Sequence, residues 1–525
     1  MKIAIAQLNY TIGDVEGNAS KIIDAINKAK AQRADLVVFA EQALSGTPAF
    51  DLLRKTTFLE LCEEALSKIA ACCDGIAAIV GLPVLTADGT ISAAALIQEG
   101  KVQRYVGKKY ITARREMGFL VPSKGYEYAT IKGHRCAVIV GDDLSREHDF
   151  DRSVETIISI NARKYGKGTM TYRYELMRRL AFVEGKNLVL VNQVGGATDI
   201  VYDGTSGAFN DRGELVLMMK HFEEDFRIFD TKAPAAPVTI PSSGDRTRMV
   251  YGAACCGLRD FFRKNGYEKA CVGLSGGIDS AVVAVLAADA LGRENVRALL
   301  MPSQFSTDHS VEDARKLAER LGIAYDVIPI SEIYASVVDT LKPVIGGTEF
   351  DATEENIQTR IRTVLLMALQ NKTGYVLLNS SNKSENALGL CTLYGDTAGA
   401  FSPTGDLYKS EMYDLARYIN RTHDDVIPEN ILDKEPSSEL HPGQKDSDIL
   451  PPYEVDDAIL FRMIEEGQHR EEIINAGFDS QVVEKIHGMI MHNEKKRYQF
   501  PPVLRLSMCS FGHERLMPLT NKYGD

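Results

Sequence analysis

Gly273-Leu274-Ser275-Gly276-Gly277-Ile278-Asp279-Ser280 decides how the C-terminal half of this chain is read. It lies between an apolar run, Ala270–Leu274, that reads as a strand and a helical pattern that begins at Ser280. At a strand-to-helix turn, neighbouring glycines let backbone N–H groups converge, and the helix N-terminus adds positive potential, so such a loop can cradle a pyrophosphate. Ser275 and Ser280 add hydroxyl donors. Asp279 is a carboxylate where it can hold a magnesium ion that neutralises bound phosphates. No Walker lysine follows the glycines.

Outward from the loop, strand and helix patterns alternate. A helix is expected over Tyr251–Asn265, a strand over Val296–Met301 and a helix through Ala314–Leu321, which together describe a doubly wound parallel sheet. Upstream, residues 1 to about 230 form a second α/β alternation: Ile3–Leu8, Ala19–Ala31, Leu36–Ala40, Ile76–Leu82, Arg135–Val140 and Asn187–Val191. Between the two lies Ala233-Pro234-Ala235-Ala236-Pro237 to Pro241-Ser242-Ser243-Gly244, the composition of a linker. The expected organisation is therefore 1–232, a linker at 233–245, and 246–525. The polar stretch Pro436–Asp448 reads as a long loop of the functional or mobile kind.

The 525 residues exceed what one core usually serves, and 45% hydrophobic with 25% charged residues is the composition of a folded globular chain. A formal net charge of -12 without clustered Lys and Arg argues against a nucleic-acid surface. Nine cysteines, an odd number with no CxxC, suggest neither a disulfide framework nor a zinc ribbon. With no signal-peptide pattern and no membrane-spanning apolar run, a cytoplasmic protein acting on small molecules is expected.

The loop resembles the pyrophosphate-binding loop of the N-type ATP pyrophosphatases. Further matches narrow the resemblance to the NAD synthetases: Met301-Pro302-Ser303 with Ser306, Thr353-Glu354-Glu355-Asn356 with Arg360, Ser380-Ser381-Asn382-Lys383-Ser384-Glu385, Tyr394-Gly395-Asp396, Asp406-Leu407-Tyr408-Lys409, and Pro436-Ser437-Ser438-Glu439-Leu440 running on to Pro442-Gly443-Gln444-Lys445-Asp446. The resemblance implies ATP contacts at Gly273, Leu274, Ser275, Gly276, Gly277, Ile278, Asp279, Ser280 and Ser380. Contacts to deamido-NAD or to the ATP phosphates fall on Asn356, Arg360, Glu385, Asp396, Lys409 and Arg505. Magnesium falls to Asp279 and Glu385. Ser380 and Arg505 stand where the family usually has Thr and Lys. Taken singly, Lys383 and Lys409 read as surface charges. The implied reaction is adenylation of a nicotinate carboxylate by ATP, followed by attack of ammonia, and a homo-oligomer is expected.

Residues 1–230 resemble the nitrilase, or carbon-nitrogen hydrolase, family in the version fused to NAD synthetases, which implies an α-β-β-α sandwich. Ile5-Ala6-Gln7-Leu8-Asn9, Phe39-Ala40-Glu41-Gln42-Ala43-Leu44-Ser45-Gly46 and Val191-Asn192-Gln193-Val194-Gly195-Gly196 carry the likeness. That family hydrolyses amides with a Glu-Lys-Cys set of base, oxyanion support and nucleophile. Glu41 matches the glutamate, and Lys108 matches the lysine better than Lys109. Where the family reads Cys-Glu-Asp, this chain has Gly141-Asp142-Asp143, so the nucleophile is missing. Cys136 is a poor substitute, on the opposite strand face and about 16 Å away. Arg114 and Arg163 fall where the family has a glutamine-contacting tyrosine and serine.

These residues lead to an ammonia-using NAD synthetase with a vestigial glutaminase domain. The alternatives are a glutamine-using enzyme with another thiol or a separate glutaminase partner, and a non-enzymatic nucleotide-binding scaffold. Paired Asp279 and Glu385 argue against the scaffold, which has no need of a magnesium carboxylate.

Overall fold

The computed structural model describes residues 1–124, 128–146, 148, 150–239, 246–347, 349–445, 447 and 450–522. Residues 240–245 of the expected linker and Asp446 lie outside the described residues. The chain divides into two compact units, Met1–Asp245 and Arg246–Asp525.

The first unit is built on two six-stranded sheets. One runs, edge to edge, through Asp225–Asp230, Lys2–Gln7, Leu36–Val38, Ala77–Thr86, Gly89–Gln98 and Lys101–Gly107. The other runs through Leu215–Met218, Gly207–Phe209, Asn187–Asn192, Thr156–Asn161, His134–Val140 and Tyr128–Ile131. Their central strands are apolar on both faces, as sheets covered on both sides must be. Ile3, Ile5, Val38 and Ile79 pack with Cys136, Val138, Val140, Ile158 and Val191 in one core shared by the two sheets. The alternate residues face outward under helices. Val15–Ala31 and Thr56–Ala71 cover Ala4, Val37 and Ala78, while Thr169–Glu184 covers Ala137, Ile139 and Ile157 with Tyr174, Met177 and Ala181. The result is the α-β-β-α sandwich. The first helix begins four residues before Ala19, at Val15, because Asp14 caps it by accepting from the Gly17 amide.

The second unit carries a four-stranded parallel sheet in the order Ala324–Val327, Val296–Leu300, Ala270–Gly273, Val376–Leu377. Helices Ser331–Ile345 and Ala352–Thr373 pack on one face, through Val337, Leu341, Ile357 and Ile361 against Cys271, Leu299 and Leu377. Helix Ile278–Leu291, almost wholly buried, packs with Arg246–Asn265 and Lys409–Thr422 on the other. Strand order reverses at Ala270–Gly273, flanked by Val296–Leu300 on one side and the later Val376–Leu377 on the other, and the crevice beyond the carboxyl ends of strands at such a reversal is where open α/β sheets hold ligands. Among the described residues no helix is long and apolar enough to cross a membrane.

One buried charge sits badly in this core. Asp456, on helix Tyr453–Ile464, is fully buried, and neither carboxylate oxygen has a hydrogen-bond partner among the described residues. Burial, reinforced by the Asp457 charge, pushes its carboxyl from 3.8 up to about 7. A carboxyl raised in the fold costs nothing below its unfolded value; the cost grows between the two values and is full above the upper one. Asp456→Asn should therefore raise the melting temperature at pH 8 and change it far less at pH 4. A variant that melts below the parent at pH 8 would contradict this.

Candidate active site

A cavity of about 320 Å³ opens at the strand reversal of the second unit. Gly273, Leu274, Ser275, Gly277, Ile278, Asp279 and Ser280 line it, with Ser380, Glu385, Asp396 and Lys409. The loop is shaped by its own hydroxyls. The Ser275 and Ser280 oxygens lie 3.0 Å apart, Ser280 Oγ accepts from the Ser275 amide at 3.2 Å, and Ser275 Oγ accepts from the Gly277 amide at 3.2 Å. Gly276 has φ +81°, and a Cβ there would stand 2.2 Å from the carbonyl oxygen of Ser310. Only glycine fits, since both conformation and close approach exclude a side chain.

Lys409, at the start of its helix, is buried against the cavity wall. It donates to Asp279 Oδ2 at 2.6 Å and lies 3.6 Å from Glu385 Oε1. Burial works against its charge, but the two carboxylates outweigh it and raise the ammonium above the ordinary lysine range. Asn382 fixes the other end of the pair, donating to Asp279 Oδ1 at 3.1 Å while its own side chain caps the helix that carries Glu385. Asp396 reaches solvent through the cavity, yet the protein crowded around it pushes its carboxyl up to about 6, partly offset by the Thr392 amide, which donates at 2.6 Å. Lys409 is thus no surface charge. Neither is Lys383, which is fully buried between Asp406 Oδ1 at 3.0 Å and Glu465 Oε1 at 2.5 Å and donates to Ser507 Oγ at 2.7 Å. Asp406 also accepts from the Leu506 and Ser507 amides, so this pair fastens the segment that follows Arg505.

Three expected contact residues stand apart from the cavity lining. Asn356 accepts from Thr392 Oγ1 at 2.6 Å, exposed Arg360 donates to the Leu393 carbonyl, and Arg505 is ion-paired with Glu514. Helical spacing explains the first two. Asn356, Arg360 and Val364 recur every four residues on the outward face of their helix, whereas Gln358, Arg362 and Leu366 share the inward one. Arg362 is the arginine that lines the cavity, donating from Nε to the Met301 carbonyl at 3.0 Å. Burial lowers its pKa. Its register with Leu366 was the available signal.

In the first unit Gly141, expected from the sequence at the nucleophile position, follows strand His134–Val140 with φ +58°. A Cβ built there would lie 2.5 Å from Glu41 Oε2, so the glutamate carboxylate leans into the space a side chain would take. Glu41 is buried, accepts from Ser92 Oγ at 2.9 Å, and lies 3.2 Å from Lys108 Nζ. Lys108 also meets Glu116 at 2.7 Å and Asp142 at 3.4 Å. Burial opposes its charge and these three carboxylates outweigh it, raising its pKa. Lys109 instead offers its amide to Asp143. Arg114 is exposed and does not turn toward this cluster. Its neighbour Arg115 does, donating to the Ala162 carbonyl at 3.1 Å and feeling the charges of Glu116, Asp142 and Glu41. Arg163 lies 3.8 Å from Asp142 and donates to Ser145 Oγ at 2.6 Å. Cys136 is packed between the sheets, where burial pushes its thiol up to about 12.

The two units define a carbon-nitrogen hydrolase sandwich joined to an NAD synthase domain: the carbon-nitrogen hydrolase family matches residues 2–234 and the NAD synthase family residues 250–500. The chain is 37% identical to the glutamine-dependent NAD(+) synthetase of Aquifex aeolicus, with 100% of both chains covered. It is 38% identical to that of Synechocystis sp., with 99% of each covered. The chain therefore belongs to the NAD synthetase family, in its two-domain form. A solved glutamine-dependent NAD+ synthetase from Acinetobacter baumannii in complex with adenosine diphosphate is 34% identical, with TM-score 0.78 over 99% of this chain and 98% of that one. One from Cytophaga hutchinsonii, 20% identical, shares the fold with TM-score 0.87 over 99% and 98%.

Removing the Lys383 charge would leave Asp406 and Glu465 buried and unpaired, and breaking such a pair costs about 3–5 kcal/mol. Lys383→Met should unfold at markedly lower denaturant than the parent. An unchanged midpoint would show that the pair contributes nothing.

Proposed function

We propose that this chain makes NAD by amidating deamido-NAD at the expense of ATP, and that ammonia rather than glutamine is its nitrogen donor. The observation that carries the choice of donor is the glycine at position 141, with Glu41 leaning into the missing side chain's space and Lys108 shared among three carboxylates. Covalent amide hydrolysis needs a nucleophile, its base and an oxyanion donor together. Here the first is absent and the other two are committed to each other.

The synthetase step follows from the cavity. A nicotinate carboxylate oxygen attacks the α-phosphorus of ATP, pyrophosphate leaves, and ammonia then displaces AMP from the acyl-adenylate. The glycine loop with its Ser275 and Ser280 hydroxyls, and the N-terminus of helix Ile278–Leu291, suit the departing pyrophosphate. Lys409 supplies a point charge beside them. Among the described residues no group of three or more His, Cys, Asp or Glu side chains forms a ready metal cage. Asp279 and Glu385, both drawn to Lys409, fit a magnesium ion, which usually takes one or two carboxylates and leaves its remaining positions to phosphates and water. Bound there, the ion would neutralise charge on the phosphates. Most of the rate enhancement is positioning and electrostatics, since the adenylate is already activated. Asp396, whose carboxyl the surrounding protein pushes up, lines the cavity where it can take a proton from the incoming nitrogen.

One observation favours glutamine: the relatives in this family are named glutamine-dependent. That reading needs a thiol from elsewhere or a separate glutaminase partner. Cys136, the thiol on the same strand, is buried and held protonated.

Two sets of variants test the proposal. Asp279→Asn and Glu385→Gln should each lose at least about 100-fold in ammonium-dependent NAD formation with the fold intact, the loss expected for one electrostatic contact to transition-state charge. Near-parent turnover in both would end their assigned roles. Gly141→Cys should not support glutamine use in ammonia-free buffer, because φ +58° and the Glu41 carboxylate both oppose the new side chain. Glutamine-dependent turnover confined to the cysteine variant would show that the old pocket is intact.

A further inference from the structure

We infer that Glu439 is a positioning residue for the nucleotide, fastening the segment Lys434–Leu440 to the helix that backs the phosphate loop. The inference rests on reading the cavity as an ATP site. Lys434 and Pro436 to Leu440 all line that cavity, although they belong to no helix or strand. A segment without regular structure needs its own anchors to hold a wall in place.

Glu439 is the principal anchor. One carboxylate oxygen accepts from Thr307 Oγ1 at 2.8 Å and from Ser310 Oγ at 2.7 Å, and the other accepts from the Thr307 amide at 3.1 Å. Thr307 is the N-cap of helix Asp308–Leu321 and makes no side-chain cap of its own. The glutamate of the distant segment instead accepts from the Thr307 amide, and a negative charge at a helix N-terminus is favourable. Its backbone has φ +49°, a left-handed conformation that a glutamate rarely adopts unless surrounding contacts hold it there. Lys434 Nζ adds a bond to Ser310 Oγ at 2.9 Å, and Gln358 Nε2 holds the far end through the Leu440 carbonyl at 2.8 Å.

The helix so gripped touches the phosphate loop at its tightest point. The Ser310 carbonyl oxygen is the atom that would lie 2.2 Å from a Cβ at Gly276. The contacts therefore run without a gap from Glu439 through Ser310 to the loop. They also answer an electrostatic objection: a free carboxylate on the wall of a triphosphate site would repel its ligand, whereas this one is spent on three donors and faces Arg362. The role assigned is thus to set the wall and the loop, with no contact to reacting atoms.

Glu439→Gln replaces an acceptor with an amide donor facing the Thr307 N–H. It should raise KM for ATP about tenfold, the worth of one charge-assisted hydrogen bond, while kcat stays within about threefold. Without any nucleotide, trypsin should cut faster after Lys434 and Lys445 in this variant. Glu439→Asp should recover part of both effects. Thr307→Val should raise KM less, and the double variant should fall short of the product of the two singles, since the residues share one contact. Parent-like KM and cleavage in Glu439→Gln, or effects that multiply in full in the double variant, would overturn the inference. A fall in kcat at unchanged KM would do the same. The ATP-site reading itself is tested by the parent's own ATP-dependent NAD formation, and the nucleotide-free cleavage rates decide the tether whichever way that falls.

Discussion

A lysine ammonium buried between carboxylates recurs at three places where this protein holds distant segments in fixed register. Lys409 joins the helix that follows the phosphate loop, through Asp279, to the helix that bears Glu385. Lys383 joins its own helix to Asp406 and Glu465 and thereby ties down the segment after Arg505. Lys108 gathers Glu41, Glu116 and Asp142. Buried ion pairs add little net stability, because desolvation consumes most of the Coulomb gain, but a partner left alone is very costly. Such pairs specify an arrangement more than they strengthen it.

The two units use this device to different ends. In the second, Lys409 and its carboxylates border open space, so a polyanion with its metal can compete for them. In the first, every charge of the cluster is met by protein, and a glutamate oxygen overlaps the space that a side chain at Gly141 would take. The same kind of arrangement thus borders an open cavity in one unit and forms a closed network in the other. Asp142, drawn down by Lys108, the Thr112 hydroxyl and Arg163 against its burial, and Asp143, pushed up to about 6 by burial, show how far that network is balanced internally.

The glycine loop was legible in the sequence because its constraints are local: glycines, hydroxyls and a carboxylate within eight residues, at a turn that periodicity locates. The sheet reversal that makes the crevice was implied by alternating strands and helices. Charges were harder to place. Lys383 read as a surface residue since nothing nearby in sequence announces Glu465, which arrives from a helix far along the chain. Arg114 and Arg115 differ by one position, and only the backbone path decides which turns inward. Motif likeness points to Arg360, whereas the four-residue register of Arg362 with Leu366 marks the arginine that lines the cavity. Glu439 lies within a recognisable motif, but its work is invisible there because its partners Thr307 and Ser310 lie some 130 residues upstream.

The most direct test of the account sets the two nitrogen donors in competition. The parent chain is supplied with deamido-NAD, ATP and magnesium, together with amide-15N glutamine and unlabelled ammonium at equal concentration, and the isotope in the carboxamide of the NAD formed is read by mass spectrometry. With Gly141 where a nucleophile is required, the carboxamide should carry nitrogen from ammonium alone. Enrichment in 15N well above that of the free ammonium pool would show that glutamine is opened and its nitrogen passed on, and would contradict the account.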